Sequence, residues 1–202
     1  IAENAGSSLT LTATLSKTAA EDVTVTFATS SSATEGTDYG NLSNITVSAG
    51  ATTGTTTFTP TDDSIYDAAS NETAVIAIDS VSGGDALESG AQSVTITITD
   101  NESAPSVTLA RSASAIDENS ASTVTLTATL SVATFQDVTV SIGVSGGTEG
   151  TDYATISDIT ISAGSTNGTA SVDPNDDSVY EDDETVTVTI DGVSGGGASE
   201  SG

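Results

Sequence analysis

The sequence has no cysteine, histidine, methionine or tryptophan, and its basic residues are Lys17 and Arg111 alone. Without cysteine there is no disulfide and no thiolate chemistry, although its absence does not fix the compartment. Without histidine there is no Ser-His-Asp triad and no imidazole ligand for a metal. Aromatic residues make up 3% of the chain, too few to stack sugars, which argues against a carboxylate-pair glycosidase. An enzyme is therefore not expected. No signal peptide and no long apolar run is visible, so no membrane span is expected in this segment. Twenty-nine acidic residues against two basic ones give a formal net charge of −27. Such a surface repels nucleic acid and anionic lipid and attracts cations.

A chain this acidic invites a disordered reading. Periodicity argues against it. Leu9, Leu11, Ala13 and Leu15 alternate with threonines, and so do Val23, Val25 and Phe27, then Val94, Ile96 and Ile98, then Val186, Val188 and Ile190. A period of two puts the apolar set on a core face and threonine on the wet face. Turns rich in Gly and Ser separate these runs, at Ser48-Ala49-Gly50, Ser82-Gly83-Gly84 and Ser145-Gly146-Gly147. Many short strands with regular turns predict an all-β sandwich or barrel.

The sequence repeats itself. Ile1-Ala2-Glu3-Asn4 returns as Ile116-Asp117-Glu118-Asn119, and Leu11 to Ser16 returns as Leu126 to Ser131. Glu35-Gly36-Thr37-Asp38-Tyr39 returns at Glu149 to Tyr153, and Asp62-Asp63-Ser64-Ile65-Tyr66 as Asp176-Asp177-Ser178-Val179-Tyr180. The spacing predicts two copies of one domain of about 112–115 residues, an ordinary domain size. We place repeat 1 at 1–102, a short linker with Pro105 at 103–105, and repeat 2 at 106–202. The strands around Val94–Thr99 and Val107–Ala110 have no counterpart at the outer ends. The first strand of repeat 1 and the last strand of repeat 2 are thus missing from the frame. Cropping from a larger parent is the favoured explanation; strand complementation by neighbouring copies in a polymer is the other.

The acids cluster. Repeat 2 carries Asp173, Asp176, Asp177, Glu181, Asp182, Asp183 and Glu184 in one stretch, and repeat 1 has Asp62, Asp63, Asp67 and Glu72 there. Two carboxylates ~4 Å apart repel by about 4 kcal/mol at an effective dielectric of 20, so such packing calls for a cation or for full solvation. Oxygen donors without His or Cys select Ca²⁺ over zinc or copper, and Mg²⁺ fits worse because it demands tight octahedral geometry. The spacing from Asp173 to Glu184 coincides with that of an EF-hand. However, Ser178 stands where its glycine belongs and strands flank the loop.

These motifs together resemble the Calx-beta domain. Those that carry the likeness are Glu3-Asn4 and Glu118-Asn119, Gly36 to Tyr39 and Gly150 to Tyr153, the Ser-Ala-Gly turn, the two Asp-Asp-Ser loops, and the closing run through Asp100, Asn101 and Glu102. The resemblance implies two tandem immunoglobulin-like Greek-key β-sandwiches with calcium held by loops at one pole. By position, it implies ligands in repeat 1 at Glu3, Asp38, Asp62, Asp63, the Ile65 carbonyl, Asp67, Glu72 and Asp100. In repeat 2 it implies Glu118, Asp152, Asp176, Asp177, the Val179 carbonyl, Glu181 and Glu184. Ser64 and Ser178 stand where the family often has a third aspartate, Ala68 to Asn71 replace acids, and repeat 2 has no closing run. Fewer or weaker ions than in a full site are expected.

The function this implies is a calcium-binding structural repeat of an extracellular, bacterial surface adhesin or filament, with Ca²⁺ stiffening the junctions between repeats. Its partners are calcium ions and neighbouring copies, with an adhesion target the sequence does not identify. The alternatives are a cytoplasmic calcium-sensor module of a transporter and a strand-exchanged subunit of an extracellular polymer. Rows such as Thr95-Ile96-Thr97 could bind ice or a glycan, but they read more simply as the wet face of a strand. Tyr39 and Tyr153 are expected at the edge of the core. Tyr66 and Tyr180 are expected to pin the acidic loop against the sandwich.

Overall fold

The structure is a computed structural model that describes residues 1–67, 72–180 and 182–201. In chain order the first strands are β1 (Leu9–Thr14), β2 (Val23–Ser30), β3 (Ile45–Val47), β4 (Thr53–Phe58), β5 (Ile65–Tyr66), β6 (Glu72–Ser82) and β7 (Ser93–Ile98). They are followed by β8 (Ser106–Arg111), β9 (Val124–Leu130), β10 (Ala133–Thr134), β11 (Val138–Ser145), β12 (Ile159–Ile161), β13 (Asn167–Val172), β14 (Thr187–Ser194) and β15 (Ser199–Glu200). Among the described residues the helical content is one 3₁₀ turn, Glu3–Ala5. Among the same residues no helix is long and apolar enough to cross a membrane.

Two compact units form. The first holds Ile1–Asp63 and Ser70–Asn101; the second holds Glu102–Gly202 together with Ser64–Ala69. Each is a two-layered immunoglobulin-like β-sandwich.

In the first unit, β1 pairs with β4, and the facing sheet has the order β3-β2-β6-β7. The chain passes from one sheet to the other and back, so β1 meets β4 rather than β2, a Greek-key connection. Alternation drives the packing. Val23 and Val25 of β2, Ile45 and Val47 of β3, Phe58 of β4, Ala74 and Ile76 of β6, and Ile96 and Ile98 of β7 are all buried. The intervening threonines face water or lie half-buried. Tyr39 is fully buried and stacks on Phe58 with ring centroids 4.6 Å apart. The tyrosine expected at the core's edge is therefore one of its centres.

In the second unit the layers are β13-β9-β8-β15 and β12-β11-β14. Val107, Leu126, Ala128, Leu130, Val138, Val140, Ile159 and Ile161 form one buried cluster. The repeated stretch Leu-Thr-Ala-Thr-Leu is half-buried at Leu11, Ala13 and Leu15 but buried at Leu126, Ala128 and Leu130. The cause is a neighbour: β8 pairs along β9 and covers its flank, whereas β1 has β4 alone beside it among the described residues. Val186 lies just before β14, which begins at Thr187.

Both units turn out of their long strands through the same glycine. Gly83 and Gly195 have φ near +90°. A Cβ at either would sit 2.1–2.2 Å from the carbonyl oxygen of Asp22 or Asp137. Only glycine fits.

Candidate metal centre

The loops at one end of each sandwich are built by backbone bonds that bring distant acids together. In the first unit, Thr99 donates its N–H to the Ile1 carbonyl at 2.9 Å, and Glu3 donates to the Thr99 carbonyl at 3.1 Å. The N-terminal stretch is thus laid along the end of β7. The Glu3 side chain there faces the closing run, and Asn101 donates its N–H to Glu3 Oε1 at 3.4 Å. Carboxylate oxygens of Glu3, Asp100 and Glu102 come within 4.8 Å of one another, and all three residues are half-buried.

Carboxylates no farther apart than that repel by about 3 kcal/mol or more per pair at an effective dielectric of about 20. A cation relieves all three repulsions at once. The donor set fits Ca²⁺: three carboxylate oxygens within that reach can share one ion, and hard oxygen donors suit it.

Glu3 and Asp100 were both implied by the family resemblance; Glu102 was not, although it stands in the same closing run. The available signal was its place beside Asp100 in that acidic run. Asp38, Asp62, Asp63, Asp67 and Glu72 do not belong to this three-membered group. Glu72 opens β6 opposite Ile98, two residues before Asp100. Ile65 lies in the short strand β5. Asp62 and Asp63 are exposed.

Asp38 has a second task. Its carboxylate accepts the Thr34 N–H and so ties the Thr-Glu-Gly-Thr-Asp turn, while its carbonyl accepts the Thr61 N–H at 2.9 Å. The latter bond sets the turn beside the Asp62-Asp63 loop. Repeat 2 does the same: the Asp152 carboxylate accepts the Thr148 N–H, and its carbonyl accepts the Asn175 N–H at 3.0 Å. Each carboxylate keeps further acceptor sites, since one hydrogen bond uses one of about four.

Repeat 2 also joins Glu118 to its acidic loop. Glu118 Oε1 accepts the Asp177 N–H at 2.9 Å, and Asp177 Oδ1 accepts the Val179 N–H at 2.6 Å. Glu118, Asp176, Asp177 and Glu184 are exposed, and Asp152 is half-buried. Among the described residues these acids do not form a group of three within 4.8 Å. Glu181 lies outside the described residues.

One sequence expectation is reversed. Tyr180 does not pin the acidic loop: it is 92% exposed and Val179 beside it 60%, whereas Ile65 and Tyr66 are half-buried.

Comparison with known proteins gives two family matches: a Calx-beta domain over residues 1–102 and a LapA domain over residues 104–201. No curated protein matches the sequence. Among solved structures, the chain is similar to CBD12 from CALX1.2, with 17% identity, 94% of this chain and 75% of that one covered, and a TM-score of 0.42. It is also similar to the calcium-binding domain CBD12 of CALX1.1, with 12% identity, coverage of 95% and 76%, and a TM-score of 0.41.

Proposed function

The chain belongs to the Calx-beta family, and from that premise we propose that it is a calcium-stiffened spacer of an extracellular surface adhesin. Calx-beta domains are calcium-binding structural modules rather than enzymes, and this chain is a tandem module of that kind. The observation that carries the reading is the convergence of Glu3, Asp100 and Glu102, three half-buried carboxylates in a chain with two basic residues.

Asp100 and Glu102 directly precede the linker at 103–105. An ion that ties them to Glu3 restricts the chain just where it leaves repeat 1, and Pro105 restricts it further. Calcium thereby converts a hinged pair of domains into a stiffer one. The match to a LapA domain supports a surface adhesin. So does the charge: dense acids remain soluble in salty surroundings, and weak extracellular calcium modules work at about 10⁻⁴–10⁻³ M.

The remaining implied ligands serve the same pole. In repeat 1 these are Asp38, Asp62, Asp63, Asp67, Glu72 and the Ile65 carbonyl. In repeat 2 they are Glu118, Asp152, Asp176, Asp177, Glu181, Glu184 and the Val179 carbonyl. Small-angle scattering of the chain with chelator and with calcium tests the spacer. A longer maximum dimension and a narrower spread of conformers on adding calcium are expected. Identical profiles in a chain that demonstrably binds calcium would remove stiffening from the account.

A further inference from the structure

Of the chain's three prolines, one follows an aspartate, at Asp173-Pro174. The bond lies just past β13, and its counterpart in the other repeat is Thr59-Pro60, just past β4. The two sites share one backbone frame. Tyr153 makes an antiparallel bridge to Pro174, as Tyr39 does to Pro60. The Ala154 N–H donates to the Asp173 carbonyl at 2.9 Å, and the Gly40 N–H donates to the Thr59 carbonyl at 2.9 Å. The side chains differ. Thr59 is exposed, whereas Asp173 is half-buried. Asp173 Oδ1 is itself buried and has no hydrogen-bond partner among the described residues. A polar atom held that way costs free energy that neither water nor a donor repays.

We propose that Asp173 is an internal nucleophile and that the fold makes Asp173-Pro174 a self-cleaving bond. The Asp173 carboxylate reaches its own carbonyl carbon by closing a five-membered ring, so the reacting atoms are already neighbours. A carboxylate oxygen bonds to that carbon, and the carbonyl oxygen takes up negative charge against the Ala154 N–H that already points at it. The C–N bond to Pro174 then breaks. Its electron pair stays on the prolyl nitrogen, which takes a proton from solvent and leaves as a secondary amine. The cyclic anhydride left on Asp173 adds one water and opens to two free carboxyl groups. The net change is hydrolysis of one peptide bond, with no oxidant, reductant or cofactor.

Proline serves this step in two ways. It restricts Asp173 to extended backbone, and its nitrogen carries no hydrogen to tie it into the sheet. The cut falls between β13 and β14. Afterwards β14 keeps its pairing with β11 and β15 its pairing with β8, so the nicked repeat holds together until it is denatured. Neither Asp173 nor Pro174 is among the implied metal ligands, and the proposal does not rest on the metal reading.

Any aspartyl–prolyl bond breaks slowly in acid, so the decisive comparison is between the folded and the unfolded chain. The whole chain is held with chelator in a mildly acidic buffer in which circular dichroism shows it folded, and in the same buffer with urea that unfolds it. Fragments 1–173 and 174–202 are quantified by mass spectrometry under denaturing conditions. Cleavage is expected several-fold faster in the folded chain. Asp173→Asn should remove it, and Asp173→Glu, which keeps the charge but closes a larger ring, should slow it several-fold. Cleavage of the folded chain no faster than of the unfolded one would overturn the proposal, because the fold would then contribute nothing. An Asp173→Asn chain cut at the wild-type rate would overturn it too, since another agent would be cutting.

Discussion

Glu118 and Asp177 lie 59 residues apart in the chain, yet the Glu118 carboxylate accepts the Asp177 backbone N–H at 2.9 Å. An acid from the start of repeat 2 thus holds its acidic loop in place. Asp177 in turn caps Val179 within that loop. One set of carboxylates shapes the loop that we propose holds an ion.

That double role makes Glu118 separable by substitution. Glu118→Gln keeps a carbonyl oxygen for the Asp177 N–H but loses the charge. Stability in chelator should be unchanged, while the rise in melting temperature on adding calcium shrinks. Glu118→Ala should lose both, with about 1 kcal/mol of intrinsic stability gone. Thermal melts of the two variants, with chelator and with calcium, provide the check.

Asp38 and Asp152 staple their turns through the Thr34 and Thr148 N–H groups. Alanine at either position should cost about 1 kcal/mol in calcium-free denaturant titrations. Asparagine retains an acceptor that can tie the turn and should cost distinctly less. Equal losses for the two substitutions would show that charge, not the turn bond, carries the effect.

The Tyr39 hydroxyl is buried and finds no hydrogen-bond partner among the described residues. Removing an unsatisfied buried hydroxyl relieves a desolvation penalty. Tyr39→Phe should therefore be neutral or stabilising. Phe58→Ala, which deletes the ring stacked on Tyr39, should cost about 3–5 kcal/mol. Urea midpoints of the two variants should move in opposite directions, or Tyr39→Phe should not move at all.

Gly83→Ala and Gly195→Ala each force a Cβ against a backbone oxygen at a positive φ. Each should destabilise its own unit by more than the about 1 kcal/mol that a conformational penalty alone imposes. Hydrogen exchange resolved along the chain should show the loss confined to the unit that carries the substitution.

Much of this was legible in the sequence. The alternations at Val23–Phe27 and Val94–Ile98 became β2 and β7, because period two is a local property that each strand carries by itself. Burial was not legible in the same way. Leu11 and Leu126 occupy identical local sequence, and only the presence of β8 beside β9 separates half-buried from buried. Partnership is a long-range matter as well. Composition showed that the acids were clustered. That Glu3 would meet Asp100 and Glu102 depends on how the first residues lie along the end of β7, which no local pattern encodes. Tyr180 illustrates the limit: its sequence context matches that of Tyr66, but the cover over Tyr66 comes from β10, far along the chain.

The central claim is that Glu3, Asp100 and Glu102 hold calcium, and a calorimetric titration of the whole chain tests it most directly. Wild type is compared with Glu3→Gln, Asp100→Asn and Glu102→Gln combined. The account predicts saturable binding by the wild type with a dissociation constant no weaker than about 10⁻³ M, the range of extracellular modules. It also predicts loss of at least one site in the triple variant, with its fold intact by circular dichroism. Wild-type and variant isotherms that superimpose would contradict it, and the three acids would then be a solvated surface rather than a metal centre.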